Sequence, residues 1–139
     1  MEKDIEMHII QNLAMSHKPS NKRVDRSKNV MEALSLQLQA AARRASFDSI
    51  VLVDDLGLVL AEAGNSKRNE ELAALSPVLA PELVSWRGQV KTNQGKVRVS
   101  IAPMRIGDSR LYITASGGDA KSVSRELFKS GLGVARILG

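Results

Sequence analysis

The sequence contains no cysteine. Disulfides, thiolate zinc sites, iron–sulfur clusters and cysteine nucleophiles are therefore all excluded. The absence fits a cytoplasmic protein, since that compartment keeps thiols reduced. Aromatic residues are also scarce, with one Trp, one Tyr and two Phe, too few to build a platform on which single-stranded bases stack. The two histidines, His8 and His17, both fall in the N-terminal tail, away from any rigid support, so they support neither a positioned general base nor a metal site. No apolar run approaches the ~20 residues of a membrane helix, and Met1–Ser16 is too charged for a signal peptide. Glu2 stands where N-myristoylation needs Gly. The segment Gly95-Lys96-Val97 lacks the upstream glycine spacing and the Ser/Thr of a phosphate loop. No catalytic, cofactor-binding or metal-ligating set emerges.

What remains is ordinary soluble composition, 43% hydrophobic and 25% charged over 139 residues, enough chain for one domain with its own core. Net charge is +5 and the isoelectric point about 9.8, which raises nucleic acid as a partner. The excess sits in two stretches. Lys18, Lys22, Arg23, Arg26 and Lys28 face only Asp25, and Arg87, Lys91, Lys96, Arg98, Arg105 and Arg110 face only Asp108. With so few aromatics beside them, the plainer reading is solvated surface, and nucleic acid is the weaker one.

Residues 1–28 read as a basic N-terminal tail in which Ile5, Ile9 and Leu13 share one face of a short amphipathic helix. The folded domain is expected over 29–139. Asn29 and Glu32 have capping-box spacing, ahead of a helical stripe of Val30, Leu34, Leu38, Ala41 and Ala45. A hairpin follows, Ser49–Asp54 and Leu58–Ala63, turned by Asp54-Asp55-Leu56-Gly57. At this tip the two aspartates are turn formers before they are acid–base groups. A second helix is expected from Asn69 with a stripe of Leu72, Leu75, Leu79, Leu83 and Trp86, kinked or split by Pro77 and Pro81. Then come strands over Gln89–Thr92, Lys96–Ile106 and Arg110–Ser116, with Asn93-Gln94-Gly95 and Gly107-Asp108 as turns. A third helix, capped by Asp119, carries Ala120, Val123, Leu127, Gly131, Val134 and Leu138.

The element order, together with the run Ser49-Ile50-Val51-Leu52-Val53-Asp54-Asp55-Leu56-Gly57-Leu58-Val59-Leu60-Ala61-Glu62-Ala63-Gly64 and the Glu71-Leu72-Ala73-Ala74-Leu75 segment, resembles the Roadblock/dynein light-chain family across about 29–139. The resemblance implies an α+β, profilin-like five-stranded antiparallel sheet with one helix on one face and two on the other. It also implies a homodimer, third strands meeting edge to edge with second helices alongside. Function is then expected to be non-catalytic: scaffolding or regulating motor and polarity complexes or a small Ras-like GTPase. Pro77 and Pro81 depart from the family's second helix, which bears on the geometry of that dimer.

The candidate dimer or partner surface is Leu72, Leu75, Leu79, Leu83, Trp86, Arg87, Val90, Lys96 and Arg98. The leucine stripe is either all core or partly a contact face. Trp86 and Arg87 are residue types enriched at binding hot spots. Lys96 and Arg98 lie on one face of their strand, either meeting an acidic partner or simply wet. The alternative function is a small-molecule sensor, since a compact sheet of this kind also resembles PAS and GAF domains.

Overall fold

The computed structural model describes residues 21–139, with side chains from residue 28 onward. The Ile5, Ile9 and Leu13 stripe lies outside the described residues. Helix α1 (Asn21–Ala45) leads into β1 (Phe47–Asp54) and β2 (Val59–Gly64), then α2 (Ser66–Leu79), β3 (Trp86–Thr92), β4 (Gly95–Ile106), β5 (Ser109–Gly117) and α3 (Val123–Leu138). The strands form one sheet in the order β2-β1-β5-β4-β3, antiparallel throughout. β2 and β3 are its two edges.

Alternation along the strands sorts the core into two layers. Ile50, Leu52, Leu111, Ile113 and Ala115 point to one face, where Leu34, Leu38, Ala41 and Ala45 of α1 and Val123, Leu127 and Val134 of α3 cover them. Val51, Val53, Val99, Ile101 and Tyr112 point to the other, under Leu72 and Ala73 of α2. One helix therefore covers one face and two cover the other, as the resemblance implies. α1 and α3 run antiparallel: Arg44 Nε donates to Glu126 Oε1 at 2.8 Å near one end, and Gln37 packs against Gly133 farther along.

Helix boundaries differ from expectation in three places. α1 starts at Asn21, so Asn29 is an interior residue and the Asn29–Glu32 box caps nothing. No Pro or Gly interrupts Asn21–Ala45, and helix propagates through polar residues once a packed turn has nucleated it. α2 starts at Ser66, capped by Asn65, whose side-chain oxygen accepts from the Arg68 N–H at 3.0 Å. The third case is α3, which starts at Val123. Asp119 caps the turn before it, accepting from the Lys121 N–H (3.3 Å) and the Ser122 hydroxyl (3.1 Å), so Ala120 never joins the helical stripe.

The prolines act differently from one another. Pro77 sits inside the last turn of α2, where its missing N–H leaves the Ala73 carbonyl without a helical donor. The hairpin tip packs there: a Cβ on Gly57 would lie 3.1 Å from that oxygen, and Gly57 itself has φ +83°. Pro81 terminates the helix, because a residue preceding proline is driven from the helical region, and Ala80 has φ −127°, ψ 62°. Leu83 and Trp86 therefore leave the stripe, Leu83 entering a loop and Trp86 opening β3, which is longer than the expected Gln89–Thr92. Pro103, in β4, lies beyond Trp86↔Ile101, where β3 pairing has ended, so no ladder bond on that side is lost.

Candidate interaction surface

Three contacts fix the first turns of α2, two to the β3–β4 hairpin and one to β2. Buried Arg68 donates from Nε and Nη2 to Gln94 Oε1 at 3.0 and 2.7 Å. Asn69 Nδ2 donates to the Ala63 carbonyl at 3.0 Å. Glu71 Oε2 accepts from the Asn93 N–H at 3.0 Å. The far end of α2 is held by Ser76, whose hydroxyl lies 2.6 Å from the Leu72 carbonyl and 2.7 Å from the Thr114 hydroxyl. The inner side of α2 is thus committed to the sheet. Its outer flank, with Ala74 and Val78 exposed, faces away from it. Val78 is 70% exposed.

β3 runs along the sheet margin next to that flank. Its outer N–H and C=O groups have no strand partner among the described residues, a condition soluble proteins usually cover, twist away or use for pairing. Trp86 and Val90 turn toward the α2 side, half-buried on the lower core layer with Val97 and Leu79. The indole lies over Gly88, where any Cβ would come within 2.8 Å of it. Arg87 lies on the other side, donating to the Ser124 hydroxyl of α3 at 2.7 Å. Lys96 and Arg98 are exposed there too, and Arg98 donates to the Gly118 carbonyl at 2.6 Å.

The nine residues singled out from the sequence are therefore not one patch. Leu72 is fully buried core, and Leu79 is half-buried against that same core. Leu75, Trp86 and Val90 are part-exposed, and Leu83 is exposed in the loop after α2. Arg87, Lys96 and Arg98 belong to the opposite face of the sheet. Sequence reasoning missed Val78, which falls off the leucine stripe, and Val84, Phe128 and Leu132, all exposed. For Val78 a signal exists: an apolar residue on the polar side of the helical wheel.

A second feature lies on the α3 side. An open cleft of about 640 Å³ separates the outer flank of α3 from the stretch of β4 that β3 no longer covers. Ala102 and Met104 form its floor and Phe128 and Leu132 one wall, and among the described residues Arg87 is its only ionisable lining group.

The hairpin tip is structural. Asp54 is fully buried. Its Oδ1 accepts from the Leu56 and Leu58 N–H groups at 2.8 and 2.9 Å, while Oδ2 has no partner among the described residues. Burial pushes the Asp54 carboxyl above the usual carboxylate range; the N–H donors of Leu58, Leu56 and Gly57 pull it back, and the neighbouring Asp55 charge adds to the rise. The folded state thus holds this proton more tightly than the unfolded chain, so the ionised form costs stability as pH rises from about 4 through the raised value. Asp54→Asn keeps the Oδ1 acceptor and removes the charge. It is expected to melt higher than wild type at neutral pH, with the gap closing on acidification toward about pH 4; thermal scans across that range check it. Among the described residues no group of three His, Asp or Glu side chains is arranged to hold a metal, and no helix is long and apolar enough to cross a membrane.

This architecture recurs in solved structures. The gliding protein MglB from Thermus thermophilus matches at a TM-score of 0.54 and 17% identity, covering 78% of this chain and 90% of that one. A Roadblock/LC7 domain from Streptomyces avermitilis matches at 0.53 and 19%, covering 75% and 96%. This is the Roadblock/LC7 fold. An MglB structure with a tetrameric arrangement shares it at 0.56 and 16%, covering 78% and 90%. No sequence-family model matches the chain, nor does any curated protein. The same layering is thus built here by a sequence with little residue identity to those structures.

Proposed function

We propose that the chain is a non-catalytic, cytoplasmic interaction module that forms a homodimer and regulates or scaffolds a small Ras-like GTPase or a motor or polarity complex. The observation that carries this reading is the unpaired β3 edge lying beside an apolar outer flank of α2. Two copies meeting β3 to β3 about a two-fold axis satisfy the edge groups of both and bring their Val78 flanks together, as isologous interfaces require. The shared fold with MglB and the Roadblock/LC7 domain supports the choice of partner class. A regulatory action of this module would work by ordering the GTPase's own switch segments. The exposed Lys96 and Arg98 side then suits an acidic partner surface.

The test is affinity capture from the native cytosol with and without a non-hydrolysable GTP analogue. Recovery of one small GTPase, stronger with the analogue, is the expected result. Recovery of none under either condition overturns the GTPase reading. A sensor reading would place its ligand in the α3 cleft, and a reproducible metabolite-induced rise in melting temperature would favour it instead.

A further inference from the structure

We infer that the outward ridge of α3 is a docking surface for an anionic membrane. Phe128 and Leu132 enter the headgroup region, and Lys121, Arg125, Lys129 and Arg136 lie against acidic lipid heads. The inference goes beyond the proposed function and does not depend on it. The dimer there uses β3 and α2, and the ridge lies on the face of the sheet away from α2.

Helix α3 buries Val123, Glu126, Leu127, Ser130, Gly133 and Val134, and the helical period fixes what points the other way. Lys121, in the turn before the helix, falls on the same outer arc as Arg125, Phe128, Lys129, Leu132 and Arg136, and all six are exposed. Phe128 and Leu132, one turn apart, are 66% and 52% exposed. They occupy the middle of that arc, with cations before them, after them and along one side. On the other side the apolar surface continues into the cleft floored by Ala102 and Met104. Helix α3 exposes no acid. Glu126 is buried and paired with Arg44. Asp119, ahead of the helix, accepts from the Lys121 N–H and the Ser122 hydroxyl.

None of this pattern serves the helix itself. Arg125 lies in the first turn, where the helix dipole disfavours cations. Arg125 and Lys129 are like charges four residues apart, which weakens a helix, and two large apolar side chains gain nothing in water. An anionic bilayer reverses each of these. Its negative surface potential attracts the cations, and a helix lying in the interface buries an apolar strip flanked by Lys and Arg at the acyl boundary. The apolar pair decides against nucleic acid, because phosphate contacts use cations alone and one Phe makes no stacking platform. The cations decide against a second copy, since two such ridges packed together would set like charges side by side. A strand paired antiparallel with its own copy has its two-fold axis normal to the sheet. A β3-to-β3 dimer would therefore present both ridges to one plane, as a flat bilayer requires.

Flotation of the full chain with phosphatidylcholine vesicles, with and without about one-third phosphatidylserine, tests this. Wild type is expected to bind the anionic vesicles at ~50 mM salt and to leave them as salt rises. Pure phosphatidylcholine should retain little of it. Phe128→Ser with Leu132→Ser, and separately Arg125→Gln with Lys129→Gln, should each lower the partition constant roughly tenfold with the circular dichroism unchanged. Lys67→Gln with Arg105→Gln removes the same charge from exposed positions on the α2 side, and should leave binding within about twofold of wild type. Equal loss in that control would mean attraction by net charge alone and overturn the ridge. Binding unmoved by the apolar double substitution overturns insertion. No binding to anionic vesicles at ~50 mM salt overturns the membrane. So does tighter binding to a DNA duplex that survives Phe128→Ser with Leu132→Ser, which assigns the cations to nucleic acid.

Discussion

Val78→Glu is expected to convert the proposed β3/α2 homodimer to folded monomers. The side chain is 70% exposed on the outer flank of α2, so the substitution disturbs nothing inside the subunit. Within a two-fold interface it appears twice. Each unpaired carboxylate taken out of water costs roughly 2 kcal/mol or more, so the dissociation constant should rise on the order of a thousandfold. Sedimentation velocity at micromolar concentration, with circular dichroism to confirm folding, reads the result. Leu36→Glu is the control, equally exposed but on α1, and should leave the dimer intact. A wild-type protein that sediments as a monomer would falsify the β3/α2 interface. The leucines on the stripe are poorer probes. Leu79 packs on the core layer beneath α2, and a charge there would confuse unfolding with dissociation.

The second large effect lies inside the subunit. Leu38 is completely buried where α1 and the sheet meet, and Leu38→Ala is expected to cost about 3 kcal/mol from lost transfer energy plus the cavity left behind. For a domain of this size that lowers the melting temperature by roughly 10 °C. Leu36→Ala, two residues away and 62% exposed, should change stability by less than about 0.5 kcal/mol. Urea titrations with equal slopes for the three proteins would show that stability, and not the compactness of the unfolded chain, has moved. Equal losses at both positions would mean that α1 does not pack through the face described.

Much of the architecture was legible in the residue pattern because short-range chemistry sets it. The β1–β2 hairpin announces itself through β-branched residues flanking a turn whose Asp54 and Gly57 do what those residue types do in turns. Val97, Val99 and Ile101 alternate and share one core layer. The α1 stripe is the helical face that is buried. Element ends were less legible. A helix stops where a cap or a proline outcompetes the next turn, and α2 carried two prolines of which only Pro81 acts as the stop. Reading both as interruptions of one long helix placed Trp86 on the helix instead of at the head of β3.

The interaction surface was the part the sequence could express least. Periodicity says which residues share a face, but not whether another layer covers it. Leu72 and Val78 are both apolar and both on α2, yet one is core and the other faces out, because the sheet lies on one side only. Arg87 and Val90 are near neighbours in sequence but lie on opposite faces of the sheet, since a strand sends odd and even positions opposite ways. The cleft beside Phe128 depends on β3 pairing ending at Trp86 and leaving half of β4 uncovered, a fact of strand register between distant segments. Local propensity and spacing, both written in the residue order, set the elements, their succession and the apolar face of each. Which of those faces stayed without cover, and so free to bind, was settled by the packing of distant segments, because exposure depends on what the rest of the chain brings opposite.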